Sequence, residues 1–371
     1  MTPLDWIFFI GGFVLLIGGA ELLIRGASRL ASSVGITPLV IGLTVVAFGT
    51  SAPELAINVR SAFVGQSDLA IGNVIGSNIF NVLFILGLSA LVTPLIVQKQ
   101  LIRLDVPIMI VISIVAFLMA LDGSIGRGDG ILLVAALVLY IVWSIRLGRS
   151  DTAAVQVTRE AEHQSRSALS TVSIQLVLIV GGLGFLVAGS QLLVDGAVAV
   201  ARLFGVSELI IGLTIVAAGT SLPEVATSVL AALRGERDLA VGNVVGSNIF
   251  NLLAVLGVSA FVAPDGVAVS RAAIAFDLPV MLVVALACLP IFLHENRINR
   301  WEGALFLAYY VAYTIYLVLD ATGHDLLAPF SQIMLEFALP LTGVTLVIIF
   351  VRYWRRGQTE TLGDSTWSNG D

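Results

Sequence analysis

The sequence predicts an all-α polytopic membrane protein made of two inverted repeats of five helices, plus one additional C-terminal helix. Three observations predict this fold. First, 58% of the 371 residues are hydrophobic and only 12% are charged, whereas soluble domains carry about 25% charged residues. Second, apolar runs of about 20 residues, the length of a membrane-spanning helix, recur along the whole chain. Third, the second part of the chain repeats the first.

Eleven apolar runs mark the expected spans, and each is long enough to cross a bilayer as a helix. The start of the chain has neither a positively charged region before the first run nor a small-residue cleavage site, so we expect this run to be a span and not a cleaved signal peptide. The spans lie near residues 6–24, 36–59, 69–93, 104–121, 129–146, 170–195, 206–230, 239–264, 274–293, 301–319 and 330–351.

The basic residues cluster in alternate connections between the spans. The odd-numbered connections and the C-terminal tail hold all but four of the 19 Lys and Arg residues, and the exceptions are Arg60, Arg127, Arg202 and Arg271. Short basic loops stay on the cytoplasmic side of a membrane. We therefore expect a multi-pass protein of the cell (inner) membrane with its N-terminus outside and its C-terminus in the cytoplasm.

An internal repeat relates the two halves of the chain. Residues 35–94 match residues 205–264 without a gap, and 36 of the 60 aligned positions are identical. Because five spans per half is an odd number, the two copies should enter the membrane in opposite orientations. Inverted repeats with helices interrupted by Gly and Pro indicate a secondary transporter with its site near the bilayer midplane.

The repeat also predicts how the chain is organised. Glu336 lies in the last expected span, outside the repeat, and we assign it no role in transport. The expected parts are a first inverted repeat at 1–147 with its motif at 42–94, a cytoplasmic linker at 148–168, a second inverted repeat at 169–320 with its motif at 212–264, and an extra helix with an acidic cytoplasmic tail at 321–371.

Two glutamates are expected inside the membrane. Glu54 and Glu224 lie near the middle of spans two and seven. A charged side chain at the centre of a membrane helix costs about 2.5–3.5 kcal/mol on insertion scales. Every Lys and Arg lies in a loop or at the end of a span, so none is expected to neutralise these carboxylates. Cations or protons therefore remain as the countercharge.

Hydroxyl side chains precede each glutamate by one helical turn. Thr50 and Glu54 are spaced i, i+4, so a regular helix places them on one face, with Ser51 alongside. Thr220 and Ser221 stand in the same positions before the second glutamate. Each half therefore offers a carboxylate and two hydroxyl oxygens as candidate ligands.

A proline lies inside each of these two helices. Pro53 and Pro223 remove a backbone donor and crowd the preceding turn. We expect the helices to open there and to free backbone oxygens, including those of Ala47 and Ala217, to point inward. Irregular backbone at this depth is tolerated only where it faces protein or a cavity.

The third and eighth spans add further polar side chains. These are Ser77 with Asn81 and Ser247 with Asn251, each at i, i+4, and Asn73 and Asn243 one turn earlier. Together with the glutamates they form an all-oxygen set with two negative charges and neither sulfur nor imidazole. Oxygen ligands in this number suit Ca²⁺ and Na⁺ better than zinc or copper.

The segments "GTSAPE" with "GNVIGSNIFN" and "GTSLPE" with "GNVVGSNIFN" resemble the two repeats of the cation/Ca²⁺ antiporter family, the sodium/calcium exchangers. The prokaryotic type is more similar, because the linker is too short for regulatory Ca²⁺-binding domains. The resemblance implies ten helices in two inverted sets and alternating access around a cluster of cation sites. It implies the ligands Glu54, Glu224, Thr50, Ser51, Thr220, Ser221, Ser77, Ser247, Asn81 and Asn251, with backbone oxygens of Ala47 and Ala217.

One departure from the family pattern changes the expected charge of the site. Well-known exchangers pair one Asn with one Asp where this chain has Asn81 and Asn251. With two asparagines the fixed charge is near −2, which matches one Ca²⁺. The exchange stoichiometry and any dependence on K⁺ therefore do not carry over from the family.

The expected function is Na⁺/Ca²⁺ antiport, and the alternatives are H⁺/Ca²⁺ antiport or K⁺-dependent exchange on the same fold. The expected partners are these ions and the lipid bilayer, with no nucleic acid and no cofactor, and no oligomeric state follows from the sequence. An enzyme is disfavoured because His163, His294 and His324 lie in loops or at span ends, and no HExxH motif is present. A channel is disfavoured because inverted halves with a midplane charge pair favour alternating access.

Overall fold

The computed structural model describes residues 3–156, 168–204, 217–345 and 347. Helices form nearly all of this part of the chain. In chain order they are α1 (Pro3–Val34), α2 (Pro38–Thr50), α3 (Ala52–Phe63), α4 (Ser67–Val92), α5 (Leu101–Ala120), α6 (Arg127–Gln156), α7 (Ala168–Leu203), α8 (Ala217–Gly219), α9 (Leu222–Leu233), α10 (Arg237–Val262), α11 (Ala273–Leu293), α12 (Arg300–Thr322) and α13 (Leu327–Thr345). Four two-residue strands complete the fold, β1 (Leu95–Ile96), β2 (Ser124–Ile125), β3 (Val267–Ala268) and β4 (Arg297–Ile298).

The described helices confirm a helical membrane protein. Nine of them are long and apolar enough to cross a membrane, and the bent pair α2 and α3 makes ten if it is one span. Of the seventh expected span, residues 206–216 lie outside the described part, and α9 follows them. The fifth expected span lies within α6, whose apolar membrane-crossing part is Arg127–Gly148. The helix itself continues to Gln156, into the expected linker, of which 157–167 are not described.

The helices differ sharply in burial. In the most apolar 18-residue stretch of each helix, 78% of the residues are buried in α4 and 89% in α10, whereas none are buried in α13. The two helices with the repeated "GSNIFN" segment therefore form the centre of the molecule, and α13 lies on its surface. Apolar side chains on the outer helices suit contact with lipid, which needs no burial in protein.

The strands join one half of the chain to the other. Strand β1 pairs antiparallel with β4, with Leu95 opposite Ile298, and β2 pairs antiparallel with β3, with Ile125 opposite Val267. Each pair links a connection of the first half to one of the second. The backbone groups of these loops are thereby hydrogen-bonded where the chain leaves the helices.

Helices α1 and α7 approach each other through glycines. A Cβ placed on Gly19 would lie 2.7 Å from the carbonyl oxygen of Gly182, and one placed on Gly182 would lie 2.8 Å from that of Gly19. Real Cβ atoms do not come so close to backbone atoms, so both positions require glycine. Small residues at such crossings let membrane helices pack closely.

A buried aspartate and tyrosine connect helices α5 and α6. Asp105 is fully buried, and its carboxylate accepts hydrogen bonds from the hydroxyl of Tyr140 at 3.1 Å and the amide of Gln100 at 3.3 Å. The second half repeats the arrangement, since the Tyr313 hydroxyl donates to Asp277 at 3.3 Å. Asp277 is only partly buried, so water reaches it more easily.

We expect Tyr140→Phe to destabilise the protein by about 1–3 kcal/mol, because it removes a donor from a buried carboxylate. Tyr313→Phe is the matched control, and its effect should be smaller because Asp277 is partly exposed. Thermal melting of the two purified variants in detergent measures the difference. Equal melting temperatures for both variants and the wild type would show that the Asp105 hydrogen bond contributes nothing.

Candidate cation-binding site

The helix that carries the first motif breaks at Ser51. Helix α2 ends at Thr50, Ser51 has φ −80° and ψ 6°, and α3 leaves at an angle of 47° to α2. Ser221 has nearly the same conformation, with φ −91° and ψ 9°. In both halves proline is the second residue of the following helix, where its missing N–H costs least. The expected opening near Pro53 and Pro223 is therefore present.

The two glutamates are buried and bonded across the repeats. Glu54 and Glu224 are each 1% exposed. The Ser221 hydroxyl donates to Glu54 Oε1 at 2.9 Å, and the Ser51 hydroxyl donates to Glu224 Oε1 at 3.2 Å. Each carboxylate is thus held by the serine of the other half, and Ser221 also contacts the Ser77 hydroxyl at 3.3 Å. These two hydrogen bonds between the halves hold the broken helices next to each other.

The two threonines donate to amide oxygens of the other half. Thr50 Oγ1 lies 3.2 Å from Asn243 Oδ1, and Thr220 Oγ1 lies 3.4 Å from Asn73 Oδ1. Asn243 in turn donates to Ser228 at 2.9 Å. Thr50 Oγ1 also lies 3.3 Å from the Ala47 carbonyl oxygen, so its single hydrogen goes to one of these two acceptors. Because each hydroxyl donates only one hydrogen, the threonine lone pairs are left for another partner.

The asparagines that end the two "GSNIFN" segments lie at the start of π-helical turns, Asn81–Leu86 and Asn251–Leu256. π-turns inside α-helices are frequent at functional sites. Asn81 donates to Asn248 Oδ1 at 3.1 Å, and Asn251 donates to Asn78 Oδ1 at 3.4 Å. Both side-chain amides therefore have their nitrogen engaged.

Within the described part of the chain, five oxygens of the expected ligands are buried and have no hydrogen-bond partner: Glu54 Oε2, Glu224 Oε2, Asn81 Oδ1, Asn251 Oδ1 and Ser247 Oγ. Buried polar atoms are nearly always paired, and an unpaired one costs about 1–3 kcal/mol, more if it is charged. In the described ranges neither glutamate forms an ion pair. Unpaired oxygens beside two carboxylates are what a hard cation would bind.

The donors are mostly neutral oxygens. Within the described residues no group of three or more His, Cys, Asp and Glu side chains lies close enough to hold a metal ion. A site here rests instead on two carboxylates supplemented by hydroxyl and amide oxygens. Such a set binds through oxygen alone, as Ca²⁺ and Na⁺ require.

Comparison with known proteins places this site in a family. The family model described as "Sodium/calcium exchanger protein" matches residues 4–146 and 174–319, which include both broken helices and both "GSNIFN" segments. The chain belongs to the sodium/calcium exchanger family. It is accordingly a cation/Ca²⁺ antiporter and a transporter, as the resemblance of its motifs implies.

Relatives and solved structures agree with the family. The chain is 43% identical over 273 residues to the putative antiporter CaxA of Alkalimonas amylolytica, covering 72% of this chain and 84% of that protein. It is 40% identical over 256 residues to the inner membrane protein YrbG of Escherichia coli K12, covering 65% and 74%. A structure of the sodium-calcium exchanger NCX_Mj, soaked without Na⁺ and Ca²⁺, matches with a TM-score of 0.73 and 32% identity over 85% of this antiporter and all of that chain.

Two expectations about the antiporter's broken helices were wrong. Thr50 and Glu54 do not lie on one continuous helix, because the break at Ser51 separates them, and they contact different partners. The Ala47 carbonyl is not freed, since it accepts from the Ser51 N–H at 3.0 Å. The Thr50 hydroxyl, 3.3 Å away, donates either to this carbonyl or to Asn243. The side chain of Ala217 lies outside the described part.

Sequence reasoning missed Asn78 and Asn248 in the antiporter. Both are 3% exposed and donate to methionine sulfur, Asn78 to Met281 and Asn248 to Met109, each at 3.5 Å. The signal that could have found them is the doubled "GSNIFN" segment, in which this asparagine is kept in both copies. The two methionines lie on other helices, and no sequence motif identifies them.

Proposed function

We propose that the protein exchanges Na⁺ for Ca²⁺ across the membrane by alternating access, at a midplane site made by Glu54 and Glu224. One observation carries the proposal, namely the unpaired buried oxygens of both carboxylates next to unpaired amide and hydroxyl oxygens. A buried carboxylate needs a partner of opposite charge, and no basic side chain of the described part supplies one to either glutamate. A transported cation would supply it.

The full ligand set that we propose extends beyond those five atoms. Hydroxyl ligands come from both motifs, and each is bonded in a way that leaves lone pairs available. A contribution from the Ala47 carbonyl requires that a lone pair of this oxygen be turned to the ion, away from the Ser51 N–H or the Thr50 hydroxyl. The set comprises Glu54, Glu224, Thr50, Ser51, Thr220, Ser221, Ser77, Ser247, Asn81 and Asn251, with backbone oxygens of Ala47 and Ala217.

The charge of the site explains why exchange is coupled. With both glutamates ionised the empty site carries about −2, and one Ca²⁺ or two Na⁺ neutralise it. Moving an uncompensated charge through low dielectric costs several kcal/mol per ion. The empty site therefore reorients slowly, and only loaded forms change sides. This condition produces antiport in preference to uniport.

The paired contacts of the two halves support alternating access. Ser51 with Glu224 mirrors Ser221 with Glu54, and the threonine and asparagine bonds are mirrored in the same way. We infer two inverted five-helix repeats, 1–147 and 169–320, joined by the linker 148–168, with an eleventh helix and a cytoplasmic tail after them. In this arrangement the N-terminus lies outside, and equivalent half-openings reach the site from either side.

A second candidate is H⁺/Ca²⁺ antiport, which the serine–carboxylate bonds favour. A hydroxyl can donate to an ionised carboxylate or accept from a protonated one, so Ser51 and Ser221 suit both states of the glutamates. Protons could then replace Na⁺ at the same oxygens. K⁺-dependent exchange is the third arrangement compatible with two asparagines in the centre.

Uptake of ⁴⁵Ca²⁺ into proteoliposomes tests these candidates. We expect rapid uptake when Na⁺-loaded vesicles are diluted into Na⁺-free medium, and none when only a pH gradient is imposed. Protein-free vesicles with ionophores are the control for leak. Equal uptake driven by the pH gradient without Na⁺ would replace the first candidate by the second, and a requirement for K⁺ on the Ca²⁺ side would select the third.

A further inference from the structure

The orientation of two side-chain amides decides whether the centre of the site attracts or repels a cation. A side-chain amide has an oxygen end and an NH₂ end of nearly the same shape, so a half-turn exchanges them without a steric cost. Asn81 and Asn251 can serve as ligands only with the oxygen inward. A turned amide would present two partially positive hydrogens to the ion. Something in the protein must therefore fix their direction.

A methionine at the far end of a chain of hydrogen bonds provides that direction. The thioether sulfur of Met281 is an acceptor and has no hydrogen to donate. Asn78 therefore turns its NH₂ toward Met281, at 3.5 Å, and its oxygen toward Asn251. Asn251 must then offer its own NH₂ to that oxygen, which leaves Asn251 Oδ1 as the atom without a partner.

The other half repeats the chain with different helices. Asn248 turns its NH₂ to the sulfur of Met109 at 3.5 Å and its oxygen to Asn81, whose NH₂ donates to it at 3.1 Å. Asn81 Oδ1 is again left buried and unpaired. The two chains of bonds reach the same result independently, with Met109 on α5 and Met281 on α11.

We propose that Met109 and Met281 are positioning residues that act through Asn248 and Asn78 to keep the oxygens of Asn81 and Asn251 directed at the transported cation. The inference rests on the proposed function of that site. The methionines do not touch the ion. Their sulfur atoms accept a hydrogen bond but cannot donate one. Leucine has a similar volume but accepts no hydrogen bond.

The space around the methionines leaves little room for water to replace them. Asn78, Asn248, Met109 and Met281 enclose a cavity of about 10 Å³ together with Val82, Ser113 and Ala285. This volume is at the lower limit for a single water molecule. A change from methionine to alanine would enlarge it and admit water, which can both donate and accept. Leucine is therefore the informative substitution, because it removes the acceptor and keeps the space filled.

Met281→Leu and Met109→Leu should each raise the KM for Ca²⁺ by about three- to tenfold, the loss expected for one hydrogen bond. The maximal rate and the melting temperature without Ca²⁺ should change little. Met119→Leu is the matched control, because Met119 lies on α5 as Met109 does but makes no contact with the asparagines among the described hydrogen bonds. An unchanged KM in both variants would overturn the proposal.

A second mutant background, Asn251→Asp, distinguishes an effect of Met281 on amide orientation from an effect on packing. Asn251→Asp replaces the amide by a carboxylate, whose two ends are both oxygen, so there is no orientation left to fix. Asn78 must then turn its NH₂ toward the carboxylate and its oxygen toward Met281, where two acceptors meet. Adding Met281→Leu to Asn251→Asp should therefore leave the KM for Ca²⁺ unchanged or lower it. The same three- to tenfold rise in both backgrounds would show that Met281 acts by packing alone.

The wild-type measurement distinguishes this inference from the proposed function. If wild-type proteoliposomes show no Ca²⁺ uptake under a Na⁺ or a pH gradient, the proposed function is wrong. If the wild type exchanges Ca²⁺ and the leucine variants match it, only the role of the methionines is wrong.

Discussion

Glu54→Gln and Glu224→Gln should each reduce Na⁺-driven Ca²⁺ uptake by about a hundredfold or more. Each change keeps the size of the side chain and one acceptor oxygen but removes one of two negative charges from a buried site. Removing one partner of a buried charge interaction costs about 3–5 kcal/mol, and every 1.4 kcal/mol is a tenfold loss of affinity. Measurement of ⁴⁵Ca²⁺ uptake by purified variants in proteoliposomes checks the result.

The matched control for the glutamates is Glu336→Gln. Glu336 is exposed on α13, where it accepts a hydrogen bond from Gln332, and glutamine preserves that contact. This variant should transport at the wild-type rate. Size-exclusion profiles and melting temperatures of all three variants should resemble those of the wild type, since glutamine needs no countercharge. Normal Ca²⁺ uptake by either site variant would show that the site does not depend on both carboxylates.

Gly19→Ala and Gly182→Ala should each destabilise the protein and strongly reduce transport. An added methyl at either position lies within 2.9 Å of backbone atoms of the facing helix, which cannot move as a flexible side chain can. Forcing extra volume into a closely packed contact costs about 1–3 kcal/mol. Helices α1 and α7 would separate at this crossing, and both pack against the broken helices that form the site. Thermal melting and ⁴⁵Ca²⁺ uptake measure the two effects.

The neighbouring glycines provide the control for this prediction. Gly18 and Gly181 are one residue away on the same helices, and a Cβ on either meets no atom of the described residues within 4 Å. Gly18→Ala and Gly181→Ala change helix propensity by the same amount as the test variants but add no crowding. They should melt and transport like the wild type. Similar losses in all four variants would mean that helix propensity, and not the close approach, is responsible.

The main features of the site could be predicted from the sequence because they depend on local chemistry. Proline disfavours an uninterrupted helix through the preceding turn, so breaks near Pro53 and Pro223 could be expected, and they lie at Ser51 and Ser221. Two glutamates inside the membrane without a nearby basic residue predict that cations or protons supply the countercharge. The motifs on which these predictions rest also carry the family resemblance that the comparisons bear out.

The partners of these residues could not be predicted, because they come from the other half of the chain. Spacing along one helix put Thr50 beside Glu54, but the bend turns them toward Asn243 and Ser221. The hydrogen bonds of the Ala47 carbonyl likewise depend on how the chain turns at the break. Such contacts follow from how two repeats interlock, and a repeat alignment contains no information on that.

Composition predicts the membrane environment, and the repeated motifs predict the family and the buried charged residues. The contacts between the halves, by contrast, fix which serine holds which glutamate and which end of each central amide is free. The difference arises from the range of the interactions. Helix opening and insertion cost depend on neighbours within one turn, whereas the direction of a buried hydrogen bond depends on groups brought together from more than a hundred residues away.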